Sequence, residues 1–260
     1  MNTPLVKRAY NLGLKAVPNF AEVLSEGQIA YYEEHLDELQ AALRRGFIIP
    51  TLETAAIIES APPALFKASE TDLDYWLDQT QKYAKKHLGV TIDLRKRFNI
   101  PAELPWKSVI PVFDPGNMTN RQMVEKVLKG PGHDVYEETD VMKYAGSDAS
   151  SDPTLHFIEN SIRPNADTMN MSPNYLCETG KSYLRLRGYG LAFAVYHFAK
   201  GKPLDPETYT WFPMDRLSDG YVARGRWSPD YRQVRFSWRG PGSRLSFSGA
   251  RVAMPIPLKP

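Results

Sequence analysis

The chain is poor in cysteine: Cys177 is its single one among 260 residues. One cysteine excludes an internal disulfide and any multi-cysteine zinc site, so packing must hold the fold. No apolar run approaches the eighteen or so residues a membrane-spanning helix needs. The opening residues are basic but have no continuous apolar segment and no small-residue cleavage site, unlike a secretory signal. These absences lead to an expectation of a protein in the cytoplasm or in a virus particle, with no membrane span. A third absence is local. Between Glu207 and Lys259 there is no Lys and no Glu, although 24% of the chain is charged.

What fills that closing stretch is Arg, aromatic residues, Ser, Gly and Asp. Tyr, Trp and Arg give large contacts at low entropic cost, and Ser and Gly adapt around them, which is the composition of a binding surface. Hydrophobic content of 42% and a net charge of +2 describe an ordinary globular chain and do not by themselves indicate nucleic acid. The closing stretch is locally basic, so distribution matters more than total charge.

Read in order, residues 1–24 form an arm without sustained periodicity. Ser25 and Gln28 make a capping-box pattern that opens a helix, with Ile29, Tyr32, Leu36, Leu39 and Leu43 on one face. A short helix follows over 51–60. Ser69 with Asp72 opens another, whose apolar stripe is Leu73, Trp76, Leu77, Tyr83, Ala84 and Leu88, ending at Gly89. Pro101 and Pro105 near the basic 95–97 cluster place a boundary, giving a helical N-terminal region over 1–104 and a second domain over 105–260.

In the second domain, residues 108–113 read as a strand whose proline belongs at an edge or bulge. Thr119 and Gln122 form a capping box, and Ser172 before Pro173 is a helix start. Strands are expected at 134–136 and 154–158, and an apolar helical run at 191–198, with Gly188 and Gly190 kinking or splitting the helical region. The closing section alternates strands at 208–212, 221–227, 233–238 and 247–253 with Gly-, Pro- and Asp-rich turns. Val234, Phe236 and Trp238 alternate with Arg235 and Ser237, a half-buried strand with one face free for a partner.

Motifs for chemistry are sparse. The five histidines, His35, His87, His133, His156 and His197, show no metal-ligand spacing, and no metal or cofactor is expected. His133 next to Asp134 is the pair that acid–base work would use, but no second catalytic group accompanies it. Gly188-Tyr-Gly190 lacks the third glycine and the preceding strand of a nucleotide loop. The chain therefore reads as a non-enzymatic binder. The arginines interleaved with Tyr221, Trp227, Tyr231 and Trp238 leave nucleic-acid binding as the alternative.

Three segments carry a family resemblance: Ala223-Arg-Gly-Arg-Trp227, Val234-Arg-Phe-Ser-Trp238 and Ser248-Gly-Ala-Arg-Val-Ala253. Together they resemble the closing strands of the C-type lectin fold in its formylglycine-generating-enzyme branch, with Ala250 where relatives carry Phe. The resemblance covers the closing stretch closely and residues 105–260 loosely. It implies an α+β domain of short twisted antiparallel strands and two main helices. The single cysteine departs from the copper-binding pair of the oxidases, and the motifs of calcium-dependent sugar lectins are missing.

Within that fold the chain is most similar to the variable proteins of diversity-generating retroelements, including those of archaea, candidate-phylum bacteria and their viruses. In these, a C-terminal segment is rewritten at template adenines. Asn codons treated in this way never yield Lys, Glu, Gln, Met or Trp, which matches the missing Lys and Glu. The resemblance implies a displayed segment over 221–253. Its variable, ligand-binding positions would be Tyr221, Arg226, Ser228, Asp230, Tyr231, Arg235, Ser237, Arg239, Ser243, Arg244 and Ser246. Trp227, Gln233, Trp238 and Arg251 would be scaffold. The expected partner is a protein or a cell-surface ligand.

Overall fold

A computed structural model describes residues 65–138, 141–144 and 152–259. The chain divides between Pro63 and Ala64, and every described residue belongs to the unit Ala64–Pro260. The helices expected before residue 61 and the arm over 1–24 lie outside the described residues.

The fold is α+β. In chain order the elements are β1 (Phe66–Lys67), α1 (Leu73–Tyr83), α2 (Leu94–Arg97), β2 (Glu103–Leu104), β3 (Val109–Asp114), α3 (Asn120–Met123), β4 (Asp134–Glu137) and α4 (Val141–Tyr144). They continue with β5 (Thr154–Glu159), α5 (Pro173–Glu178), α6 (Leu186–Lys200), β6 (Tyr209–Arg216), β7 (Val222–Ser228), β8 (Gln233–Arg239), β9 (Ser248–Ala250) and β10 (Ala253–Ile256). Among the described residues three sheets result: β1 with β2, the order β10-β5-β3, and the order β4-β8-β7-β6-β9.

The boundary expected at residue 105 is corrected by this arrangement, since the unit begins at Ala64. The apolar stripe of α1 needs a surface to cover it, and β3 supplies one. Leu73, Trp76 and Leu77 are buried, and Thr80 donates to the Pro111 carbonyl at 3.1 Å. Asp72 ties the two elements at their starts. Its carboxylate accepts from Trp76 Nε1, from Ser108 Oγ and from the Val109 amide. Residues 65–104 thus form one wall of the same core. Pro111 sits on an edge strand, where its missing N–H costs nothing.

The central element is α6, which is apolar almost all round and therefore buried on nearly every side. It packs between β3, α1 and the inner face of β7. Its two glycines do not split it: the helix runs unbroken through both. Gly190 instead allows close approach: a Cβ there would fall 2.1 Å from Met123 Sδ. The start of α6 has no capping side chain of its own, and Asp215 on β6 accepts the Leu186 amide at 2.6 Å in its place. The capping box at Thr119 and the Ser172 cap before Pro173 both form.

Two strand expectations need correction. The strands are not all antiparallel, because β4 joins β8 and β9 joins β6 in parallel. The closing strand expected over 247–253 is two strands in different sheets: β9 in the five-stranded sheet and β10 beside β5. Between them lies Arg251, only 1% exposed. Its guanidinium meets Asp205 at 2.7 Å and donates to the Ser161 carbonyl at 2.9 Å. Thr210 Oγ1 also donates to Asp205, at 2.6 Å. A buried charge needs such partners, and this pair fixes where the chain changes sheets.

Candidate ligand-binding face

Strand alternation sorts the closing residues onto two faces of the five-stranded sheet. On the inner face Ala223, Val234 and Phe236 are fully buried. Trp227 stacks on Phe193 of α6 with ring centroids 5.8 Å apart. Gly225 faces the same way, and a Cβ there would meet Tyr189, Phe212 and Phe236 at 3.0–3.2 Å. At Gly225 this face has no room for added atoms.

The outer face carries Arg224, Arg226 and Ser228 from β7 and Gln233, Arg235, Ser237 and Arg239 from β8. Arg226 lies directly opposite Arg235 across the strands, and Arg235 lies opposite Tyr136 of β4. Rings hold the guanidiniums. Arg226 sits 5.0 Å from the Tyr209 ring centre, and Arg235 sits 4.3 Å from Tyr136 and 5.1 Å from Tyr231. Arg224 lies deeper, with its guanidinium 3.9 Å from the Tyr209 ring centre, and its Nε donates to Ser237. Burial pushes the Arg224 guanidinium down to about 10, which leaves it charged at neutral pH.

The eleven expected ligand-binding positions divide by location. Arg226, Arg235, Ser237 and Arg239 share the outer face with side chains at least partly exposed. Asp230 and Tyr231 are exposed in the β7–β8 turn. Ser228 has outer-face parity but is only 2% exposed. Tyr221 is not on this face: its ring packs edge-on against Trp238, 4.6 Å away, which points inward. Ser243 and Arg244 are half-buried and Ser246 exposed in the loop from β8 to β9. Of the expected scaffold residues, Trp227, Trp238 and Arg251 face the interior, whereas Gln233 lies half-buried on the outer face. Arg239 pairs with Glu138 at 3.5 Å.

Sequence reasoning missed Tyr136 and Tyr209 as members of this face. The strand around Tyr136 was visible, but nothing local says that it lies parallel to β8. Tyr209 opens the Lys- and Glu-free stretch, and that was the one signal available for it.

Two other clusters complete the inventory. A cavity of about 380 Å³ near the start of α6 is lined in part by Asp114, His156, Arg185, Arg187 and Asp215. Arg185 pairs with Asp215 and Arg187 with Asp114 inside it, and Lys181 at its wall pairs with Asp167 outside it. Burial raises the Asp215 carboxyl against the lowering effect of Arg185, and burial lowers His156. At another corner His133 meets His197 edge-on at 4.6 Å and Phe193 at 5.4 Å. Burial, then the nearby His197 and His87, push His133 down to about 4. Its imidazole is thus neutral and packed among rings at physiological pH. Among the described residues no group of three His, Cys, Asp or Glu is placed to hold a metal ion, and no helix is long and apolar enough to cross a membrane.

Comparison with protein-family models, with curated proteins and with solved structures finds no match.

Proposed function

We propose that this chain is a non-enzymatic, receptor-type binding protein: a variable protein of a diversity-generating retroelement with a C-type lectin-like domain. One observation carries the reading. Along β8, and at Arg226 on β7, outward residues that are at least partly exposed alternate with residues that build the core, so this part of the outer face can change while the inner face keeps the fold. The motif resemblance and the missing Lys and Glu point to the same stretch. Its ligand is a protein or cell-surface molecule, met in the cytoplasm or from a virus particle.

The test is the gene's own locus. The reading expects an imperfect repeat of the segment encoding 221–253 beside a reverse transcriptase gene, differing from it only where the repeat has adenine. Codons for Arg226, Arg235 and Ser237 should differ between the copies, and those for Trp227 and Trp238 should not. A locus with no such repeat would leave a binding domain of fixed specificity and remove the retroelement.

A further inference from the structure

Resting on the reading of the outer face as the binding face, we propose that its partner is an acidic protein loop that seats an Asp or Glu carboxylate between Arg226 and Arg235. The two guanidiniums come from directly opposed residues on neighbouring strands. Like charges in that position are destabilising unless something answers them. Among the described residues no carboxylate lies within salt-bridge range of either one.

The rings flanking the pair hold the guanidiniums by their faces, at 5.0 Å for Arg226 on Tyr209 and 4.3 Å for Arg235 on Tyr136. A guanidinium held over a ring face spends none of its N–H donors on the ring's edge atoms and keeps them for an acceptor. Arg226 spends Nε on the Trp227 carbonyl, which leaves its terminal nitrogens. A carboxylate matches that fork in a bidentate fashion. Tyr231, 66% exposed, and Tyr136, 42% exposed, add ring surface beyond what a free ion would use, as at a protein interface.

The patch is also short. Exposed Asp134, opposite Gln233, and exposed Asp230 stand at one end, with exposed Arg232 in the same turn as Asp230. At the other end Glu138 already neutralises Arg239. A phosphate backbone carries charge at every nucleotide and would be driven against those acids. An isolated carboxylate carries a single site of charge, which Arg226 and Arg235 can meet with Arg224 deeper beside Tyr209.

The experiment pans a phage-displayed library of random peptides against the full chain and compares wild type with R226S/R235S. The expected result is wild-type selection of peptides enriched in Asp or Glu. Replacing the shared acid by its amide should weaken a selected peptide at least about tenfold on wild type and have little effect on R226S/R235S. If that double variant fails to melt like the wild type, reversing the peptide's acid to Lys on the wild-type protein reads the same contact. Selected peptides without acid enrichment that are still lost on Y136A/Y231A would overturn the acidic partner and keep the binding face. Peptides indifferent to all four side chains, or none above background, would overturn both. Displacement of the peptides by a mixed-sequence oligonucleotide would overturn the acidic loop in favour of nucleic acid.

Discussion

Arg251 and Arg226 belong to the same Arg-rich stretch and meet opposite surroundings. Arg251 lies at the change of sheets, enclosed and bonded to Asp205 and the Ser161 carbonyl. Arg226 lies on the outer face with a tyrosine ring beside it, a second arginine opposite and no carboxylate among the described residues. Composition treats the two alike. What separates them is strand parity and the presence of an acid within reach, so an arginine's role here follows from what faces it.

The comparison can be broken most forcefully at Arg251. Arg251→Ala would leave Asp205 buried without its counter-charge and is expected to cost about 3–5 kcal/mol in chemical denaturation. Gly225→Ala comes next. The added Cβ would press on Tyr189, Phe212 and Phe236, so a loss of about 1–3 kcal/mol is expected for such overpacking. A loss below that range would show that the inner face has slack after all.

Acid tests the core from another direction. His133 titrates at about 4 when folded and near its ordinary 6.5 when unfolded. The unfolded chain therefore binds more protons between those values. Stability from this group is complete above about pH 6.5 and is lost as the pH falls toward 4. Thermal melts across that window should show a shallower acid loss for His133→Gln than for wild type; equal slopes would mean that the ring is not shielded. The smallest effect is expected on the outer face. Arg226→Ser and Arg235→Ser should each stay within about 0.5 kcal/mol of wild type. A larger loss in melts would turn those arginines into structural residues and erase the contrast with Arg251.

Much of this was legible in local pattern. The alternation of Val234, Phe236 and Trp238 with Arg235 and Ser237 gave the two faces of β8, and the caps at Thr119 and Ser172 gave helix starts. Pairing between distant segments was not legible. The segment 134–136 announces a strand, but its parallel seat beside β8 depends on a partner about a hundred residues later. The start of the unit was misplaced because prolines after the α1 stripe look like a boundary, whereas that stripe is the cover of β3. The run 247–253 looks continuous because each half has strand composition. Only the buried pair at Arg251 divides it. At the candidate face, the arginines announced themselves and the tyrosines that hold them, Tyr136 and Tyr209, did not.

The alternation along β7 and β8 also sets a rhythm in the gene. A side chain that faces outward is encoded by every second codon, and the codons between them spell the core. Any process that changes this DNA blindly, nucleotide by nucleotide, would break the protein about as often as it altered its surface. Only one that spares alternate triplets, whether by selection afterwards or by the chemistry of copying, can explore many surfaces while the molecule beneath them stays the same.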